Sequence, residues 1–220
     1  MLAKKGVHVQ TIAPKFSGRF NKGVDYCGDI SQFTKEFEED ILVLEYAIKE
    51  FSLPEELKLS VHSGSDKFSI YPVMADIISK HNKGLHLKTA GTTWLEEVTG
   101  LALAGGDGLA AAKYIYANAL ERKVELCTPY ADVIDIDDTQ LPTVEEVNQW
   151  TSEEFANTLT HDENQAAYNS GFRQLIHVTY KVAAEMGISY TELLEKYVDI
   201  IGACVEKNIY ERHLKKLFNI

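Results

Sequence analysis

Three short apolar segments alternate with two amphipathic helices in the first part of the chain, and this order limits the folds open to it. The segments GVHVQTIAP, LKLSVH and LHLK have the length and composition of buried strands. Apolar residues at helical spacing follow Asp29, a candidate N-cap, and recur near Tyr71. Helices that connect successive short strands favour parallel pairing. We therefore predict an α/β fold whose chemistry lies on the loops after the strands.

The second half of the chain is mainly helical from Trp94 onward. Helices are predicted over residues 109–122 and 165–186, and LALAGGDGLAA between helical segments is typical of a turn. Three capping boxes are predicted, and they begin at Thr143, Thr151 and Ser189. Residues 131–136 are a candidate for one extra strand, although two aspartates interrupt their apolar run.

Together these patterns predict a partial TIM-type (β/α) barrel. Residues 1–93 would form three parallel strands of it, and residues 94–220 a mainly helical region that packs on the strands in the same domain. A complete barrel takes roughly 250 residues with eight strands spaced throughout. Since only three or four strands are predicted here, we expect Met1 to fall partway through the barrel.

Composition excludes several classes of function. A formal net charge of -11 argues against nucleic-acid binding, which needs a basic surface. No run of about 18 apolar residues suggests a membrane span, and the N-terminus is unlike a signal peptide, so a cytoplasmic location is expected. The three cysteines show no CxxC spacing and predict neither a disulfide framework nor a zinc finger.

The loop HSGSDKFS, which follows the second predicted strand, carries the densest group of reactive side chains. His62 is well placed as a metal ligand, Asp66 as an acid, a base or the group that orients the imidazole, and Lys67 as an anion contact. Ser63 adds a hydroxyl group for substrate binding. The alternative is a polar loop that caps the next helix.

A second polar loop follows the third predicted strand. His86 and His62 would lie on adjacent parallel strands and could bind one ion. Lys88 and Thr89, in a stretch of small hydroxyl residues, could hold a carboxylate or phosphate. The alternative is that His86 is a hydrogen-bonded core residue.

The loop after the first strand carries further charged candidates, Lys15, Arg19, Lys22 and Asp25. Its cations could attract an acidic substrate to a protein of negative net charge, although they could equally be solvated surface residues. Arg173 and His177 lie on a predicted helix and could project polar groups over the strand ends, with Arg173 as a further substrate contact. The HDEN tetrapeptide, which begins at His161, could do the same or could be a helix start. The alternative for these residues is a structural role. His81 and His213 are assigned to exposed helix ends.

Four stretches of the sequence resemble the tagaturonate epimerase family of hexuronate catabolism: HSGSDKFSIYP, HLKTAGTTWLE, VQTIAPKFSGRFNKGVDYCGD and RQLIHVTY. The resemblance extends over most of the chain. It implies a barrel enzyme that uses a divalent metal ion to interconvert D-tagaturonate and D-fructuronate at C4, with this chain as its C-terminal part. Either retro-aldol cleavage and re-addition or proton transfer at C4 would accomplish this reaction.

The same resemblance suggests how the candidate residues divide. His62 and His86 become the metal ligands, for zinc, manganese, nickel or iron alike, and Asp66, Lys67 and Asp25 the catalytic residues. The substrate contacts become Lys15, Arg19, Lys22, Ser63, Lys88, Thr89 and Arg173. A homo-oligomer or a separate upstream chain could complete the barrel. The alternative function is a catalytically incomplete remnant that binds sugar acids or associates with itself.

Overall fold

A computed structural model describes residues 5–220 and shows a small parallel sheet beside a large helical region. The strands are β1 (Thr11–Ile12), β2 (Lys58–Val61) and β3 (Leu85–Leu87), and they lie side by side in the order β1-β2-β3. Ile12 pairs with Leu59, and Ser60 pairs with His86, both in parallel register. The helices α1 (Ile30–Phe51) and α2 (Tyr71–Lys80) make the two crossovers. The predicted parallel pairing is confirmed.

Helix α1 forms where local sequence signals agree. The side chain of Asp29 accepts hydrogen bonds from the N–H groups of Ser31 and Gln32, which are otherwise unpaired in the first turn. Ser52 ends the helix in the left-handed conformation, with φ of 48°. Five apolar residues on one face are buried against the sheet and α2: Phe33, Phe37, Ile41, Leu44 and Ile48.

The remaining helices form the larger part of the molecule. In chain order they are α3 (Ala90–Ala104), α4 (Gly106–Glu121), α5 (Lys123–Cys127), α6 (Val144–Gln149), α7 (Ser152–Leu159), α8 (Ser170–His177), α9 (Tyr180–Met186), α10 (Ile188–Lys196), α11 (Val198–Glu206) and α12 (Lys215–Phe218). A π-helical segment, Lys207–Leu214, joins the last two. None of the helices described here is long and apolar enough to cross a membrane.

Two hydrophobic cores divide the structure. The first lies between the sheet, α1 and α2, and the second fills the helical region around Trp94, Phe155 and Phe172. The C-terminal helix α12 returns to the first unit, where Leu217 joins the first core. The two cores meet across a layer of polar side chains that follow the strand ends.

The predicted partial TIM-type barrel is wrong. The three strands form an open sheet within a mainly helical domain. Residues 131–136 do not add a strand, because residues Thr128–Val133 form a 3-10 helix with Pro129 in its first turn. The first strand pairs over only two residues, so it is much shorter than the apolar segment that predicted it.

Several helix boundaries also differ from those predicted. The stretch of small hydroxyl residues after the third strand is predicted as a loop, but most of it is helical, since α3 begins at Ala90. Residues 165–186 contain two helices rather than one. The first, α8, begins only at Ser170, where Asn169 caps it by accepting from the N–H of Phe172, and it ends at His177, before α9 begins at Tyr180. The capping boxes at Thr143 and Thr151 are confirmed. The one at Ser189 is absent, because α10 follows directly from Gly187, whose φ is 60°.

Candidate functional site

A cleft of about 560 Å³ opens at the carboxyl ends of the strands. It brings together three residues predicted from the sequence, Lys15, Arg19 and His62. Phe16 and Phe20 add apolar walls. Apolar surfaces combined with a few polar groups are the usual composition of a small-molecule site.

The cleft also contains a carboxylate that the sequence did not indicate as functional. Asp132 lines it and is exposed, whereas the neighbouring Asp135 forms an ion pair with Arg19 at 3.1 Å. Both partners of that pair are more than half exposed, so water screens their attraction. The sequence signal for these two residues is that aspartates interrupt the apolar run of residues 131–136. In a candidate strand, that pattern predicts an irregularity rather than a site.

Lys22 and Lys88 are two positively charged side chains close enough for one to affect the pKa of the other. Burial lowers the pKa of Lys22, and the charge of Lys88 lowers it further. Among residues 5–220, no acidic side chain forms an ion pair with either lysine. The ammonium group of Lys22 lies 4.9 Å from the centre of the Tyr130 ring. Two neighbouring cations that form no ion pair within the described residues favour an anionic ligand.

The two predicted metal ligands lie near one end of the sheet. His86 pairs with Ser60 within the sheet, and His62 follows one residue after the end of β2. Continued strand alternation would place both imidazoles on the face opposite Leu59 and Val61. Standard sheet spacings separate their Cα atoms by about 8 Å. His86 shares a hydrogen bond of 2.6 Å with Ser60 through Nδ1, which leaves its Nε2 available.

This donor set fits a metal ion in part. Both imidazoles are exposed, and imidazole nitrogen binds zinc, manganese, nickel and iron. Within the described part of the chain, no three His, Cys, Asp or Glu side chains are grouped so that they could hold a metal ion. The two histidines therefore account for at most half of a tetrahedral ligand set.

Hydrogen bonds hold the two loops that carry these histidines together. Ser63 donates its hydroxyl to the carbonyl oxygen of Lys88 at 3.1 Å, and the N–H of Gly64 donates to the same oxygen. The carbonyl of Gly64 accepts from the Nε2–H of His177, which α8 supplies. Ser63 is fully buried, so its hydroxyl fixes the main chain beside His62. The hydroxyl of Thr89 is likewise engaged, with Thr92.

Asp66 and Arg173 form a sealed ion pair beneath this loop. Both are fully buried, and Arg173 Nη2 donates to Asp66 Oδ2 at 2.8 Å. The same carboxylate accepts from His161 and Thr92, and His213 Nε2 lies 3.5 Å from Oδ1. Burial would raise the pKa of Asp66, but Arg173 and the two histidines hold it well below its usual range. This geometry commits Asp66 to its contacts with Arg173, His161 and Thr92 in the interior.

The other two catalytic candidates are also engaged. The side chain of Lys67 is fully buried, and its ammonium group donates to main-chain carbonyls. Asp25 accepts from both the N–H and the hydroxyl of Ser69, next to the start of α2. No substrate reaches Lys67 in this arrangement, and Asp25 caps the turn before α2.

Arg173 lies beneath the cleft rather than in it. Besides Asp66, it donates to the carbonyl oxygens of Gly23 and Leu159, each at 2.7 Å. His213, assigned to an exposed helix end, is instead buried in the π-helical segment. The HDEN tetrapeptide was the only sequence signal for His161, and it equally suited a helix start.

Two buried groups predict opposite responses of stability to pH. Burial lowers the pKa of His177 from 6.5 to about 3. Its contribution to the free energy of unfolding is therefore complete above pH 6.5 and is lost as the pH falls toward 3. Burial raises the pKa of Glu96 from 4.5 to about 7, so its contribution is complete below pH 4.5 and is lost as the pH rises through 7. Each effect amounts to about 2 kcal/mol between pH 7 and pH 5.

We therefore expect His177→Gln and Glu96→Gln to change the pH profile of unfolding in opposite directions. Relative to the unsubstituted protein, His177→Gln should gain free energy of unfolding as the pH falls from 7 to 5, and Glu96→Gln should lose it. Urea titrations at pH 5, 6 and 7 measure both differences. Parallel profiles for the three proteins would contradict this assignment of protonation states.

Comparison with known proteins places this geometry in a family. A sequence model of tagaturonate epimerase matches residues 1–217. The chain is 33% identical to the tagaturonate/fructuronate epimerase of Thermotoga maritima, over 98% of its own length and 40% of that protein. The crystal structure of the fructuronate-tagaturonate epimerase of Cohnella laeviribosi with one glycerol superposes with a TM-score of 0.75 at 28% identity, and the native structure with 0.73.

Those structures are also matched over 98% of this chain and 40% of theirs, so the chain spans about two fifths of the relatives' length. The family match covers nearly every residue of this sequence. It includes both histidine loops and the lysines beside the cleft. The chain belongs to the tagaturonate epimerase family.

Proposed function

We propose that this chain supplies the sugar-acid-binding part of an enzyme that interconverts tagaturonate and fructuronate. Membership of the family and the names of its relatives support the reaction. The strand-end cleft, with its cationic and imidazole side chains, supports the choice of an acidic sugar as the ligand. As the chain spans 40% of its relatives, the full reaction is part of the proposal.

The pair Lys22 and Lys88 is the observation that carries this function. In a protein with a net charge of -11, the charge of Lys88 lowers the pKa of the half-buried Lys22, so an anion bound near both lysines would stabilise their charged forms. A uronate carboxylate satisfies both ammonium groups and removes their repulsion. The sugar hydroxyls would then extend toward His62 and Asp132 in the cleft.

We further propose that His62 and His86 provide two ligands of a divalent metal ion. When bound, such an ion polarises a ketone or hydroxyl oxygen of the sugar. Ser60 would hold the His86 ring in the required orientation, while the bonds from Ser63 and Gly64 to Lys88 would keep the two loops at a fixed separation. Asp132, an exposed carboxylate that lines the cleft, would accept a proton from a bound hydroxyl.

A second candidate function is a module that binds sugar acids without turning them over. Two observations favour it: Asp66 and Lys67 are sealed from solvent, and Asp25 is committed to Ser69. The exposed face of α1, with Leu42, Val43 and Tyr46, supports self-association of such a module. Conversion of fructuronate to tagaturonate by this chain alone would exclude the second function.

We expect Lys22→Ala and Lys88→Ala each to weaken binding of D-fructuronate about 10-fold or more, because each removes a charge-assisted contact worth roughly 1.5–3 kcal/mol. Isothermal titration calorimetry measures this, with neutral D-fructose as the comparison ligand. Lys49→Ala is the matched control, since Lys49 is exposed on the last turn of α1. Equal affinities for all three variants would reject the lysine pair as the carboxylate site.

We also expect the protein to bind one divalent ion per chain weakly, because only two side chains ligate it. Titration with Mn²⁺, followed by its paramagnetic effect on water relaxation, should show binding that His62→Ala or His86→Ala abolishes. His8→Ala, at an exposed histidine in the N-terminal segment, is the control. Binding that survives both site substitutions would place the metal elsewhere.

A further inference from the structure

The ammonium group of Lys67 is enclosed by oxygen atoms from two strand-end loops. It lies 3.0 Å from Asn21 O and 2.7 Å from Val24 O in the first loop. In its own loop it lies 3.0 Å from Asp66 O and 3.3 Å from Ser65 Oγ. The side chain is fully buried. We call these four oxygens the Lys67 cage.

The Lys67 cage resembles the coordination shell of a monovalent cation more than an ion pair. Three of its oxygens are main-chain carbonyls and the fourth is a hydroxyl, so no carboxylate oxygen is among them. A buried ammonium group loses its hydration, and only well-placed acceptors compensate for that loss. Its three N–H groups have enough acceptors here. Burial lowers the pKa of Lys67 to about 7, and the nearby charges of Asp66 and Asp25 oppose that shift, so the ammonium form occupies the cage below pH 7.

The cage joins the main chain on both sides of Lys22. Asn21 and Val24 flank Lys22 and Gly23, and the N–H of Gly23 donates to Ser65 Oγ at 2.9 Å. The first loop is thus fastened to the loop that begins with His62. Lys67 therefore sets where Lys22 lies relative to Lys88 and His62.

We propose that Lys67 is a positioning residue whose ammonium group acts as a built-in cation, joining the first two strand-end loops and placing Lys22 for anion binding. Its effect on ligand affinity rests on the proposed function, whereas the occupancy of the cage does not. This proposal differs from a role of Lys67 as a nucleophile that attacks a ketone. For such a role the amine would have to give up its contacts with all four oxygens of the cage.

The first test is chemical rescue of stability. Lys67→Ala leaves an empty space lined by the cage oxygens, whereas Lys67→Met fills the space without a charge. Both variants should melt at lower temperature than the unsubstituted protein. Methylammonium chloride should restore at least half of the lost melting temperature in Lys67→Ala, and tetramethylammonium chloride, which is too bulky and has no N–H group, should not at equal ionic strength. The Lys67→Met variant should respond to neither salt.

An equal response of both variants to every salt would overturn the cage, as would a Lys67→Met variant as stable as the unsubstituted protein. If neither variant folds, acetylation of the unsubstituted protein decides the question. Peptide mass spectrometry should then show Lys67 protected until global unfolding, while Lys88, which is exposed, reacts early. Acetylation of Lys67 as fast as Lys88 would overturn the proposal.

The second test concerns positioning. In Lys67→Ala, affinity for D-fructuronate should fall about 10-fold while affinity for neutral D-fructose is unchanged, and methylammonium should recover the difference. Equal loss for both sugars would reduce Lys67 to a purely structural residue. If the unsubstituted protein does not bind fructuronate, the proposed function is rejected. The recovery of the melting temperature by methylammonium would still decide whether Lys67 fills the cage.

Discussion

Replacing Arg173 with methionine is expected to lower the free energy of unfolding by about 3–5 kcal/mol, because it leaves the buried charge of Asp66 without its main partner. Three acceptors lose a hydrogen bond from Arg173 at once, namely Asp66 Oδ2 and the carbonyl oxygens of Gly23 and Leu159, and only His161 still donates to Oδ2 among the described residues. Methionine fills most of the volume, so the lost polar contacts dominate. Guanidinium chloride unfolding followed by circular dichroism measures the change.

The matched control is Arg122→Met. Arg122 also pairs with carboxylates, those of Glu125 and Glu185, but both acids are about half exposed. Water already screens that pair, so its removal should change stability by less than about 1 kcal/mol. The double variant Arg173→Met with Asp66→Asn should recover part of the loss, since it also removes the unpaired charge. Equal losses for Arg173→Met and Arg122→Met would mean that the buried pair contributes no more than a surface pair.

Gly91→Ala is expected to be the most damaging single-methyl addition in the sheet-end region. A Cβ at this position would lie 1.8 Å from Nε2 of His177, closer than any real contact. The imidazole would have to move, and its hydrogen bond to Gly64 O would break. Overpacking combined with the lost bond should lower stability by about 3 kcal/mol. The same denaturant titration measures it.

Two further variants separate the clash from general effects of alanine. Gly202→Ala in α11 is the control, because a Cβ there meets nothing within 4 Å and should be neutral or slightly stabilising. In a His177→Ala background, Gly91→Ala should be tolerated, because the clashing ring is gone. A Gly91→Ala loss that is the same in both backgrounds would show that His177 is not the cause.

The features that depend on neighbours in sequence were predictable. The N-cap at Asp29 and the apolar spacing of α1 act within a few residues, and so do the capping boxes at Thr143 and Thr151. Parallel pairing followed from the length of the crossovers. Whether the sheet closes into a barrel could not be predicted in the same way, because closure depends on how many strands pair. The apolar residues of the 131–136 segment are as compatible with a 3-10 turn as with a strand.

The loop HSGSDK shows the limit most clearly at the candidate site. Its composition and its place after β2 indicated a polar, functional loop, and the structure confirms its position at the strand end. Six consecutive polar or small residues contain no signal that orders them by exposure. Only the fold separates His62, which faces the cleft, from Asp66 and Lys67, which are sealed beneath it.

The sequence by itself therefore determined the family, the parallel strands and the loops that carry chemistry, because each depends on local patterns. Only the tertiary structure decided which charged side chains face the cleft and which hold the loops together. Asp66 meets an arginine 107 residues away, and Lys67 meets carbonyl groups more than 40 residues away. Whether a charge is solvated or buried depends on such distant partners, and no local pattern encodes them.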